Sequence, residues 1–167
     1  VELRDEESDS GMMADCYSLM GEIYREKGMN KACYEAYDSC LHYAPDNVGA
    51  LNNYAYYLSL DSAADLQKAE QMSLKAVQKE PDNATFLDTY AWILFKEKRY
   101  DDAKTIAERA IASDSTLSSV VVEHCGDIFY MAGDTDRAME MWQKAAQEDE
   151  NNAILRRKIE LKKYIEE

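Results

Sequence analysis

An all-α fold is predicted for this chain of 167 residues by three observations. Helix breakers are few, with two prolines and six glycines, while Ala, Glu, Lys, Leu and Met are plentiful and favour helix over strand. A small residue recurs inside apolar helical patterns at Gly21, Ala55, Ala91 and Gly126, at intervals of 34, 36 and 35 residues, which marks an internal repeat. Around that column the apolar residues follow the i, i+3, i+4, i+7 spacing of a helix that buries one face. The length suits one domain with an ordinary core.

Each repeat reads as two helices. Helix A carries Tyr17, Met20, Gly21 and Tyr24 in the first copy, then Leu51, Tyr54, Ala55 and Leu58, then Leu87, Tyr90, Ala91 and Leu94, then Val122, Cys125, Gly126 and Phe129. Helix B carries a stripe at i, i+4 and i+7: Cys33, Tyr37 and Cys40; Ala69, Ser73 and Ala76; Ala103, Ala107 and Ala110; Ala138, Trp142 and Ala145. Turn signals separate A from B at Lys27-Gly28, Asp61-Ser62, Arg99-Tyr100-Asp101 and Gly133-Asp134, where Gly allows a left-handed cap and Asp caps the next helix. The copies differ in length only in turns: Leu58 to Ala69 is two residues longer than its counterparts, and Ala110 to Gly126 one longer. Small residues at the column let the paired helices cross closely.

This pattern resembles the tetratricopeptide repeat (TPR), with its large, Leu, Gly/Ala and Tyr positions on helix A, Ala and aromatic positions on helix B, and a closing Pro. Pro45 in APDN and Pro81 in EPDN match the closing position, whereas Ser115 and Glu150 stand there in copies three and four. LNNYAYYLS, EPDN and LDTYAWILFK particularly resemble segments of bacterial TPR proteins. The resemblance implies a right-handed α-solenoid of about four hairpins, at residues 14–47, 48–83, 84–118 and 119–152, closed by a C-terminal capping helix over 153–167 with Ile154, Ile159, Leu161 and Tyr164 at amphipathic spacing. Residues 1–13 read as an acidic segment whose start, VELRDEES, resembles the tail of a preceding helix B, so a longer array is expected.

In TPR arrays the A helices line a concave groove that binds protein segments. The repeat positions resembling known contact positions fall here on Asp15, Ser18, Glu22, Asn52, Asn53, Tyr56, Asp88, Thr89, Trp92, Lys96, Glu123, His124, Asp127 and Tyr130. On the helical wheel Tyr54 turns to the core, Tyr57 sits on its shoulder, and Tyr56 and Asn52 point away. Trp92 and Tyr56 are expected exposed in the groove, as aromatic anchors of the kind that dominate interface hot spots. The carboxylate clamp of co-chaperone TPR domains is not expected, since Ser18, Glu22, Asp88 and Trp92 occupy its positions and only Asn53 matches. Five acids against Lys96 suggest a neutral to basic partner. The resemblance thus implies a non-catalytic interaction scaffold; the alternative is a structural spacer or self-association module in which Tyr57, the C-terminal helix or a repeat end packs on another copy.

Charge excludes another class. Acidic residues outnumber basic ones 33 to 19, for a net charge of −14, so a nucleic acid meets long-range repulsion. The positive charges concentrate at one end: Arg156, Arg157, Lys158, Lys162 and Lys163 stand within the last 17 residues. No apolar run approaches the roughly 20 residues of a membrane span. Catalysis, metals and cofactors are not expected either. Cys16, Cys33, Cys40 and Cys125 form no CxxC pair, and Cys33 and Cys40, about 10 Å apart by helical rise, are too distant to bridge. In EHCGD, Cys125 is expected to face the helix crossing and His124 outward. Asp101-Asp102 and Asp46-Asn47 read as helix caps, Asn83-Ala84-Thr85 is a glycosylation sequon within a repeat turn, and no Gly-rich loop could cradle a phosphate.

Overall fold

The computed structural model describes residues 2–114 and 116–166, with side chains from residue 8 onward; Ser115, at a closing position, lies outside the described residues. Within them all regular structure is helical, in the order α1 (Glu2–Glu26), α2 (Asn30–Tyr43), α3 (Val48–Ser59), α4 (Leu66–Lys79), α5 (Ala84–Lys96), α6 (Tyr100–Ser113), α7 (Ser119–Met131), α8 (Thr135–Glu148) and α9 (Ala153–Leu161). Odd and even helices pair as hairpins from α1 to α8, and odd helices also touch one another, α3 on α5 and α5 on α7. None of these helices is long and apolar enough to cross a membrane.

Polar side chains set the helix starts. Asn47, Asp65, Asn83, Ser118, Asp134 and Asn152 each accept a hydrogen bond from a backbone N–H of the first turn, satisfying donors that a helix leaves open. Asp46, Asp101 and Asp102 are not caps: Asp46 pairs with Lys75 and Lys79, and the other two lie in the first turn of α6, where carboxylates suit the helix dipole. Within the hairpins, Gly28 and Gly133 take φ of +69° and +86°, a region that carries no penalty without a Cβ. Lys98 takes the same turn at φ +64°.

The hairpin crossings are matched in size. A Cβ added at Gly21 would come within 2.7 Å of the Tyr37 ring, and one at Gly126 within 2.6 Å of Trp142 Nε1. Where helix A carries Ala55 or Ala91 instead, the corresponding positions of α4 and α6 hold Ser73 and Ala107. All of these residues are buried. Replacing Ala91, which has no exposed surface, by Leu overpacks such a crossing and should cost about 1–3 kcal/mol. The shift of the urea midpoint at constant m-value measures it; an unchanged midpoint would show that the crossing is not close.

The two ends differ from expectation. Residues 2–13, read as a separate acidic segment, run without a turn into the first helix A, so Glu2–Glu26 is one helix. Met20, placed on the buried stripe by its spacing, is exposed, because among the described residues no helix covers that side of α1. At the other end α9 stops at Leu161, with Lys162 in the left-handed region at φ +51°. Leu155 and Lys158 are its buried residues, while Leu161 is exposed and Tyr164 lies beyond the helix. Tyr164 folds back to place its ring edge on Phe95, with centroids 5.5 Å apart.

Candidate functional site

The residues assigned to the groove fall on the aligned faces of α1, α3, α5 and α7, and hydrogen bonds join them from helix to helix. Between α1 and α3, Glu22 accepts from Asn53 Nδ2 at 3.2 Å and from the Tyr57 hydroxyl at 2.7 Å, as well as from the Tyr37 hydroxyl of α2. Between α5 and α7, His124 Nδ1 lies 3.1 Å from both oxygens of Asp88. Between α7 and the C-terminal helix, Lys158 Nζ donates to Glu123 at 2.7 Å and to Asp127 at 2.8 Å. Asn152 Nδ2 donates to the second oxygen of Glu123 at 2.9 Å, and Trp142 Nε1 to the second oxygen of Asp127, also at 2.9 Å.

This closeness overturns two readings. Trp92, expected as an exposed anchor, is only 8 % exposed, because its ring stacks on His124 at 4.0 Å and on Phe95 at 4.8 Å. His124, expected to face outward, is buried in that stack against Asp88. Neighbouring A helices approach closely enough for large side chains on their shared flank to cover one another, so the ring covers a neighbouring helix. Asn52, Asp88, Thr89, Glu123 and Asp127 are buried with them. Tyr56, Lys96, Asn53, Glu22, Ser18 and Tyr130 are half-buried, and Asp15 is exposed.

Between these helices lies a pocket of about 420 Å³, with Tyr56, Trp92, Lys96 and Val120 on its walls and Glu123, His124, Asp127 and Lys158 around it. Tyr164, Ile165 and Glu166 of the C-terminal tail close one side. Several contributors were not anticipated: Leu60, Val120, Asn152, Lys158 and the tail. Lys158 had a legible signal, since it follows Leu155 by three residues as Tyr54 follows Leu51. A lysine in a core column announces buried carboxylates.

Burial sets the electrostatics. For Lys158 burial alone would lower the pKa, but Asp127 and Glu123 outweigh it and the ammonium is held charged. Burial pushes Asp127 up to about 6, against the pull of Lys158 and of the Trp142 N–H, because one cation is shared by two carboxylates. For His124 burial also acts downward, but Asp88 outweighs it through its charge and hydrogen bond, so the net shift is upward from 6.5. A raised folded pKa means that this pair contributes stability below pH 6.5 and loses it as pH rises through the folded value. Histidine NMR should therefore place the His124 midpoint above 6.5, and Asp88→Asn should lower it, since burial is then opposed only by the charges of Asp127 and Glu123. A midpoint unmoved by Asp88→Asn would disprove the pairing.

Cys125 is buried, and burial followed by the Asp88 charge pushes its thiol up to about 12, so it stays protonated at neutral pH. Cys33 and Cys40 are buried and Cys16 is exposed. Among the described residues no cluster of three His, Cys, Asp or Glu side chains is placed to hold a metal.

No protein-family model matches the chain. Among curated proteins it is 24 % identical over 107 residues to stress-induced-phosphoprotein 1 of Caenorhabditis elegans, which covers 60 % of this chain and 33 % of that protein; the chain thus spans about a third of that relative. Among solved structures it is similar to pilF of Pseudomonas aeruginosa, with a TM-score of 0.78 at 20 % identity over 92 % of this chain and 69 % of that one. It is similar also to the MamA protein, at 0.70 and 21 % over 91 % and 81 %, and to a thermophilic TPR protein of Thermus thermophilus, at 0.72 and 13 % over 89 % and 80 %. Likeness at this identity speaks for fold, and it agrees with four in-register copies in the sequence: the chain is an all-α, right-handed solenoid of the tetratricopeptide-repeat fold.

Proposed function

We propose that this chain is a non-catalytic scaffold whose concave groove holds a neutral to basic segment of another protein. The observation that carries this reading is the pocket between α3, α5 and α7, where half-buried Tyr56 and Lys96 stand beside a stacked Trp92–His124 floor. A ring fixed at its base and open at one edge gives contact area with little loss of side-chain entropy on binding. The carboxylates contribute less than their number suggests. Glu123 and Asp127 are occupied by Lys158, and Glu22 by two tyrosines and Asn53. Attraction of a basic segment then rests on the net charge of −14, a long-range effect that salt weakens.

The reading is tested by affinity capture with the intact chain, followed by titration of the purified partner against wild type and a Tyr56→Ala/Lys96→Ala double variant. The substitutions should weaken binding by about tenfold or more, as expected for truncating a hot spot worth 1–2 kcal/mol, with thermal unfolding little changed because both side chains are half-buried. Equal affinity for both proteins would refute the groove assignment.

A further inference from the structure

α1 is apolar on two sides. Ala14, Tyr17, Gly21 and Tyr24 lie on the side that pairs with α2. On roughly the opposite side, Met12, Cys16, Leu19, Met20 and Ile23 fall within about 100° of arc, and all five are exposed. Single apolar residues on a surface need no explanation, but a contiguous row along three turns of helix does.

The interior of the array shows what covers such a face. Ile23 occupies the repeat position of Tyr57, Ile93 and Ile128; the two isoleucines are 0 % exposed and Tyr57 is half-buried, whereas Ile23 is 40 % exposed. Met20 corresponds to Tyr54, Tyr90 and Cys125, and Cys16 to Ala50, Phe86 and Val121; Tyr90 and Val121 are half-buried and the others buried. In the interior the covering element is the second helix of the preceding hairpin: α4 lies on α5 and α6 on α7. Met72 and Val77 of α4 share one buried cluster with Phe86 and Ile93 of α5.

We infer that the Met12–Ile23 face of α1 is an interaction surface for an amphipathic helix that presents aliphatic side chains, seated on α1 as α4 is seated on α5. Charge narrows the partner further. Exposed Asp9, Asp15 and Glu26 lie along the row, so the helix should carry basic residues. A second copy of this chain fits less well. Two α1 faces together would juxtapose their carboxylates, and the outer side of α9 offers exposed Arg156, Arg157 and Glu160 in place of an aliphatic row.

The probe is a hydrocarbon-stapled peptide with the α4 sequence, titrated into the whole chain while methyl NMR signals of Met12, Leu19, Met20 and Ile23 are followed. Saturable shifts at these methyls are expected, with affinity at least tenfold weaker for Leu19→Glu/Ile23→Glu and unchanged for Lys96→Ala. Both glutamates replace exposed residues, so circular dichroism should show the variant folded. The inference is overturned by the absence of saturable shifts, by shifts confined to the groove around Tyr56 and Lys96, or by a dimer in sedimentation that dissociates in the Leu19→Glu/Ile23→Glu variant.

Discussion

Substituting Gly126 by Ala should destabilise the fold by about 2–4 kcal/mol, from overpacking and from strain on a hydrogen bond to a charged group. Ala is the better helix former by about 1 kcal/mol, so propensity alone predicts the opposite sign. Sterics win because the new methyl would meet the Trp142 ring, which is fully buried and anchored through its N–H to Asp127. Trp142→Ala should itself cost about 3–5 kcal/mol by opening a cavity. The decisive comparison is the double variant: once the ring is gone, Gly126→Ala should become neutral or stabilising. A double-mutant cycle by urea unfolding reads this reversal. Additive costs would show that Gly126 is needed for something other than making room for the indole.

The second large effect centres on Lys158, which is 1 % exposed and bonded to two carboxylates. Lys158→Met keeps the length of the side chain but strands Glu123 and Asp127 without their cation, a loss of about 3–5 kcal/mol at neutral pH for breaking a buried pair from one side. The same variant should regain stability on acidification. Asp127 is already raised to about 6 by burial, and loss of the lysine raises it further. A carboxyl with a folded pKa above its unfolded value stabilises the folded state as pH falls through the folded value. Thermal unfolding at pH 7 and pH 5 should therefore show wild type and Lys158→Met converging in acid, and a gap independent of pH would sink the assignment. Because Lys158 holds α9 to α7, protection from hydrogen exchange should fall first in α9.

Much of this was legible before any coordinates. The columns at Gly21, Ala55, Ala91 and Gly126 and at Cys33, Ala69, Ala103 and Ala138 locate both helices of every hairpin, and Asn47 and Asp134 mark helix starts by their capping chemistry. The groove was legible only as a set of repeat positions. Whether Trp92 stood open or covered depended on how near α7 brings His124 and on the stacking of Phe95, one turn along α5. Lys158 was legible as a lysine in an apolar column, but not its partners, since Glu123 and Asp127 converge on it from 35 and 31 residues away.

By itself the sequence determined the period, the helices and the small residues at the crossings. These follow from local spacing and backbone sterics, which act within one or two turns of a chain. Only the tertiary structure decided which polar groups are spent on the fold, pairing Gly126 with Trp142, Asp88 with His124 and Lys158 with two acids, and which apolar row on α1 is left uncovered. The reason is physical: burial and the strength of a charge pair depend on distances between helices, and a helical wheel contains no such distance.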